Sequence, residues 1–491
     1  MNHTERRNPW IWVPSLYFAE GLPYVIVLTV SVIMYKRFGI SNTDIALYTS
    51  LLYLPWVIKP LWGPVVELVR TKRFWIVTMQ LIIGVSLAAV ALAISLPGFF
   101  VATLAVFWLM AFSSATHDIA ADGFYMLGLR EHEQAAFVGV RSTFYRIAMV
   151  TGQGLLVVVA GTLESSTGGN TKFAWMVTFG ILAAMFVVFF VYHRFMLPYP
   201  TADRRAATAA RQEQHPAGAV MRADGAAQEE LQPAVPEMRA DGAAQEELQP
   251  AVPGMRADGA AQLELQPVGA GSGWRPLVEF IEVFAAFFRK PRIGPTLAFL
   301  LLYRLAESQL IKMVSPFLLD PRSKGGLGLT TSDVGIVYGT VGIIALTLGG
   351  LAGGYVISRQ GLRFWLWPMV IVMHVPDLVF VYLSQAQPES FLLINCAVAL
   401  EQFGYGFGFT AYMLYMIMVS EGEHKTAHYA LCTGFMAAGM MLPGMVSGAI
   451  QEWLGYPNFY IWVMLSTIPG FIVTALIRLD TDFGKKSEVQ A

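Results

Sequence analysis

Charge is scarce in this chain. Asp, Glu, Lys and Arg make up 14% of its 491 residues, where a soluble domain carries roughly 25%. The 33 basic and 34 acidic residues leave a net charge of −1, so bulk electrostatics point to neither nucleic acid nor a surface-adsorbed role. Cysteine is nearly missing. Cys396 and Cys432 both lie in apolar runs, so neither a disulfide framework nor a cysteine metal site is expected. No cofactor and no metal are expected.

Apolar sequence is abundant, at 55% of the chain. It falls into twelve segments. Six lie near 10–35, 43–66, 73–96, 98–127, 133–163 and 172–197. Six more lie near 292–319, 332–358, 361–384, 389–419, 425–452 and 456–478. Each is close to or beyond the ~20 residues a helix needs to cross a bilayer core. Lipid offers no partners to backbone polar groups, so each segment is predicted to be helical. The first run is too long for a signal-peptide core and is expected to remain as the first helix. The expected fold is an all-α integral membrane protein with 12 transmembrane helices in two pseudo-symmetric six-helix halves, 1–199 and 291–480. That is the outline of a two-lobed secondary transporter, and not of an enzyme. A monomer is expected.

Between the halves, 200–273 carries a 17-residue repeat that starts at Met221, Met238 and Met255. It is poor in aromatic and β-branched residues and cannot offset its ordering entropy, so a disordered linker is expected. In 274–290, Leu277, Phe280, Ile281, Phe284 and Phe288 recur at helical spacing, as in an interfacial helix. A tail follows at 481–491. One set of loops holds Arg6, Arg7, Arg70, Lys72, Arg73, Arg130, Arg359, Arg363, Lys425, Lys485 and Lys486. The other holds Lys36, Arg37, Lys172, Arg322 and Lys324. This bias places both termini and the linker in the cytoplasm.

Ionisable groups at membrane depth are costly and call for a partner or a role. Glu20 lies about 15 Å and Glu307 about 22 Å into their spans, at 1.5 Å per residue. They sit in similar strings, Tyr17-Phe-Ala-Glu20 and Tyr303-Arg-Leu-Ala-Glu307. A low dielectric disfavours a charged carboxylate, so Glu20, Glu307, Asp118, Asp122 and Glu401 are candidates to carry protons. The other reading of Glu307 is an ion pair with Arg304, one turn away. Lys59, Arg146 and Arg304 are deep cations that suit an anionic solute. With Tyr145 and Gln402 they form the candidate substrate-binding set.

Counted from the turn near Arg130, Asp118 and Arg141 fall at equal depth on adjacent helices, and a gating bridge between them is expected. Glu67 and Arg70 are further gating candidates. His117, Asp118 and Asp122 could also be read as a metal site for intramembrane chemistry, although more carboxylates would then be needed. Gly404 with Gly408, and Gly350 with Gly354, have the spacing of close helix packing. His374 and Asp377 are expected to lie on the lipid side, turned inward.

Gly63-Pro-Val-Val-Glu67 with Arg70, Lys72 and Arg73, and Gly354 with Arg359, Gly361 and Arg363, occupy matching places in the two halves. Both resemble the loop signature of the major facilitator superfamily. Further strings resemble the AmpG muropeptide permease family. They are Gly21-Leu-Pro23, Lys59-Pro-Leu-Trp-Gly-Pro64, His117-Asp-Ile-Ala-Ala-Asp122, Tyr145-Arg146, Tyr303-Arg-Leu-Ala-Glu307, Glu401-Gln402, Gly406-x-Gly408 and Tyr429-Ala-Leu431. The resemblance implies a proton-driven importer in a bacterial inner membrane. It would carry GlcNAc-anhydroMurNAc, with or without peptide, from periplasm to cytoplasm for peptidoglycan recycling. It carries over Lys59, Asp118, Asp122, Arg146 and Glu307. Glu20 stands where that family has a small residue, and His117 where it has an amide. Importers of another bulky anion on the same fold (a siderophore, an acyl-CoA or an amino sugar) remain the alternative.

Overall fold

The computed structural model describes residues 7–201, 203, 275–480 and 483. The repeat linker, Trp274 and most of the tail lie outside the described residues. Helices account for nearly all that is described. In chain order they are α1 Pro9–Arg37, α2 Asn42–Leu51, α3 Leu54–Leu68, α4 Lys72–Ala93, α5 Phe99–Gly128, α6 His132–Ser166 and α7 Thr171–Met196. After the linker come α8 Arg275–Phe288, α9 Ile293–Leu302, α10 Leu305–Leu319, α11 Thr331–Gln360, α12 Leu362–Ala386, α13 Phe391–Ser420, α14 Lys425–Leu465 and α15 Ile468–Leu476.

Among the described residues, nine helices are long and apolar enough to cross a membrane. The other expected segments are helical with different breaks. Segment 43–66 is split at Leu52-Tyr53, ahead of Pro55, into α2 and α3. Segment 292–319 is split at Tyr303-Arg304 into α9 and α10. The last two expected spans run on as one stretch, Lys425–Leu476, with a non-helical Gly455 (φ 71°) marking the bend. Pro14 and Pro23 sit inside α1, followed by a π turn at Ile26–Val30. Such interruptions are tolerated at depth only where neighbours or a cavity take up the freed groups.

Within the first half α4 packs on α5 and α7, and α1 on α6. Within the second, α11 and α12 pack on α13. Between the halves, α2 and α3 lie against α14, and the π turn Val150–Leu155 of α6 lies against the π turn Gly335–Gly342 of α11. Span two meets span eleven and span five meets span eight, the exchange expected of two repeats about a two-fold axis.

Close approach makes small residues necessary at these crossings. A Cβ on Gly339 would lie 2.0 Å from Gln153 O, and one on Gly448 would lie 1.9 Å from Asn42 O. Gly448→Ala is therefore expected to prise the halves apart at the Asn42 end. Labelling of a Thr43→Cys variant by a membrane-impermeant thiol reagent should rise several-fold when Gly448→Ala is added.

Gly404 and Gly408 do pack tightly, on Val372 and Met373 of α12. Between α11 and α13 the tight contact falls on Gly349 and Gly353, while a Cβ on Gly350 would keep 3.7 Å from its nearest neighbour. The spacing was legible there, and the register was off by one. α8 lies against the start of α14: Phe287 is fully buried beside His428 and Phe435, while Ile281 and Phe288 face outward. Lys290 donates to the carbonyls of Val419 and Glu421 at 2.5 and 2.8 Å. His428 is buried under α8.

Candidate functional site

Two groups of charges sit at membrane depth, one in each half. The first joins α1, α3, α5 and α6. Lys59 of α3 is ion-paired with Asp118 of α5. Arg141 of α6 pairs with Asp122 at 2.8 Å, and the Tyr17 hydroxyl of α1 donates to the same carboxylate at 3.3 Å. The Arg141 guanidinium also lies over the Tyr17 ring at 4.6 Å. Glu20 is buried beside this group with Oε2 unpartnered.

The expected Asp118–Arg141 bridge is thus replaced by Asp122–Arg141 and Lys59–Asp118. Counting depth by Cα ignores the lean of helical side chains toward their own N-terminus. Arg141 leans back toward the loop at Arg130, which brings it level with Asp122. Arg141→Ala leaves Asp122 without its cation. It should impair transport more than the charge-swapped pair Asp122→Arg with Arg141→Asp, and equal loss in both would argue against the bridge.

His117 belongs to neither pair. Neighbouring positions on a helix diverge by about 100°, and His117 turns away from Asp118 into the core of its half. There Nε2 lies 3.0 Å from Gln80 Nε2, Gln80 Oε1 lies 2.9 Å from His193 Nδ1, and His193 Nε2 lies 3.0 Å from Ser15 Oγ. The His117–Asp118–Asp122 metal site is not formed.

The second group lies in α10, α12 and α13. Glu307 and Glu401 are fully buried, Gln402 Nε2 donates to Glu401 Oε2 at 3.0 Å, and Asp377 joins them. Glu307 is not paired with Arg304. Arg304 has non-helical backbone (φ −107°, ψ 22°) at the α9–α10 break, so the one-turn geometry of a helical pair does not apply. Its guanidinium instead donates to the Tyr405 hydroxyl and lies 4.7 Å over Phe409. Asp377 ends a 3-10 turn at Val375–Asp377 inside α12, and it and His374 are buried among helices, away from lipid.

Three cations remain on the face between the halves. Arg146 Nη1 donates to Thr347 of the other half at 3.1 Å, and Lys312 Nζ to Thr49 of the other half at 3.0 Å. Among the described residues, neither these nor Arg304 has a carboxylate within ion-pairing distance. Lys312 was missed in the sequence because the α9–α10 break hides its place on the helix. Tyr145 is half-buried and packs against Gly21. Of the loop candidates, Arg70 is exposed in a left-handed conformation (φ 69°) over Phe74. The Glu67 side chain lies outside the described residues.

The contacts that join the halves gather at one end. Lys36 pairs with Asp320 at 2.6 Å, and Tyr456 donates to Asp320 at 2.6 Å. Asn42 donates to Gln451 at 2.5 Å and to Tyr456 at 3.0 Å. Glu164, held within the first half by Arg37 at 3.0 Å and Trp175 Nε1 at 3.0 Å, receives the Thr331 hydroxyl of the second half at 2.7 Å. At the opposite end, contacts run inside each half, as from Arg73 to the Arg194 carbonyl. The structure is closed at the Lys36 end. This latch was missed because Lys36 looks like a loop cation until Asp320 of the other half is placed beside it.

The sequence profile of the Major Facilitator Superfamily matches residues 15–422. The transporter named AmpG 4 of Rickettsia conorii is 22% identical over 480 residues, covering 95% of each chain. The anhydromuropeptide permease of Escherichia coli K12 is 21% identical over 483 residues, covering 96% of this chain and 80% of that protein. The crystal structure of the nucleoside transporter NupG superposes with a TM-score of 0.63 at 14% identity, over 96% of this chain and all of the other.

Proposed function

Because this chain belongs to the major facilitator superfamily, and so is a multi-pass membrane transporter and not an enzyme, we propose that it imports anionic muropeptides, driven by protons. It crosses a bacterial inner membrane twelve times, with both termini and the linker in the cytoplasm. The solute is GlcNAc-anhydroMurNAc, with or without peptide, taken from the periplasm for peptidoglycan recycling. The observation that carries this reading is the set of three buried or half-buried cations, Arg146 and Lys312 donating across to the other half and Arg304 to Tyr405 of its own, with no acidic partner among the described residues. A solute carboxylate can fill that role through charge-assisted hydrogen bonds. The likeness to the anhydromuropeptide permease, across 96% of this chain, supports the solute class. Another bulky anion would use the same cations.

The Lys36 end is then periplasmic, and the structure is the inward-facing state. Transport proceeds by rocking of the halves about the midplane. Breaking the latch opens the periplasmic side. Protonation of Glu20 or Glu307 favours loading there, and loss of the proton to the cytoplasm favours release. Glu20→Gln combined with Glu307→Gln is expected to abolish gradient-driven accumulation while solute exchange across the membrane persists. Intact accumulation in the double variant would sink the coupling scheme.

A further inference from the structure

We propose that Glu307, Asp377 and Glu401 form a binding site for a hard inorganic cation of the size of sodium or calcium. The three carboxylates come from three helices. Glu307 lies in the first turn of α10, Asp377 in the 3-10 turn inside α12, and Glu401 in the middle of α13. One oxygen from each lies within 4.8 Å of the other two. A cation between them can therefore sit within about 2.8 Å of each, a small closure away from the roughly 2.3–2.6 Å of calcium–oxygen bonds. An all-oxygen set selects hard cations over zinc or copper.

The surroundings point the same way. All three side chains are at most 1% exposed. None of the four oxygens of Glu307 and Asp377 has a hydrogen-bond partner, and Glu401 receives Gln402. Among the described residues no lysine or arginine is ion-paired with any of the three. His374, equally buried, turns an unpartnered Nδ1 toward Asp377 Oδ2 at 3.9 Å, too far to satisfy it. Three uncompensated carboxylates in a dry core are strongly unfavourable. A bound cation removes that penalty and uses all three. The contrast with the first half is direct, since there Lys59 and Arg141 already answer Asp118 and Asp122. Two of the three acids also sit where helices are interrupted at depth, as in transporters whose broken helices coordinate sodium.

The site does not depend on the identity of the solute, so it is tested without one. Full-length protein in detergent at fixed pH is assayed for bound radioactive sodium and calcium, and for its unfolding temperature with sodium, calcium or choline chloride. One of the two metal ions is expected to bind once per chain and to raise the unfolding temperature saturably, while choline does not. Asp377→Asn and Glu401→Gln should each weaken binding about tenfold or more, and Glu389→Gln, at an exposed acid outside the site, should leave it unchanged. No saturable binding of either ion to the unsubstituted protein, the result expected if the three acids hold protons alone, would overturn the site. So would binding retained in both variants.

Discussion

Asp320→Asn protein is expected to shift from the state closed at the Lys36 end toward the state open there by about 100- to 1,000-fold. The substitution leaves Lys36, 13% exposed, without the carboxylate it meets at 2.6 Å, and weakens the Tyr456 contact to the same group. Removing one partner of a buried ion pair costs about 3–5 kcal/mol, and here that cost falls on the latched state alone. A shift of this size matters because the two states of a carrier must stay within reach of each other for turnover. Impermeant labelling of Thr43→Cys should rise strongly and net uptake should fall, with the exchange of Lys36→Asp and Asp320→Lys recovering part of both. The Thr331–Glu164 contact predicts the same direction with a smaller effect, since a single hydrogen bond crosses between the halves there. Unchanged labelling in Asp320→Asn would mean that the pair does not hold the halves together.

Arg304→Gln is expected to raise KM for an anionic muropeptide by about 10- to 100-fold, corresponding to the loss of a hydrogen bond to a charged group worth about 1.5–3 kcal/mol. Arg304 is 6% exposed, and its guanidinium is held between the Tyr405 hydroxyl and the Phe409 ring. It is therefore pre-aimed and loses little entropy on meeting a carboxylate. A solute whose carboxylates are amidated should show little change. Arg304→Lys keeps the charge but not the planar fork, and should fall between. The unfolding temperature separates this from a packing defect. Equal loss for charged and amidated solute would place Arg304 in the fold and not in recognition.

Much of this was legible in the sequence. The apolar segments are helical, and the acids and cations picked out in them lie within those helices, except Arg304 at the α9–α10 break. Lys59, Asp118, Asp122 and Arg141 converge as one group because the apolar runs fix depth along each helix. What failed was direction around the helix and lean along it. Arg141 meets Asp122, one turn from the expected Asp118, and His117 turns toward Gln80. Helix breaks defeated the rest. The interruption at Tyr303-Arg304 removed the alternative reading of Glu307 as an ion pair with Arg304. The 3-10 turn at Asp377 drew a residue set aside as lipid-side into a carboxylate cluster. Contacts between halves, such as Asn42 with Gln451 and Tyr456, link positions more than 400 residues apart. No spacing rule reaches that far.

The most direct measurement is uptake of labelled anhydromuropeptide into proteoliposomes of known orientation, with and without an imposed proton gradient. Accumulation that depends on the gradient, and that unlabelled disaccharide competes away, is expected. Absence of uptake in folded, correctly oriented protein would contradict the muropeptide assignment and move the search to another bulky anion, with Glu20 the first residue to examine for altered specificity.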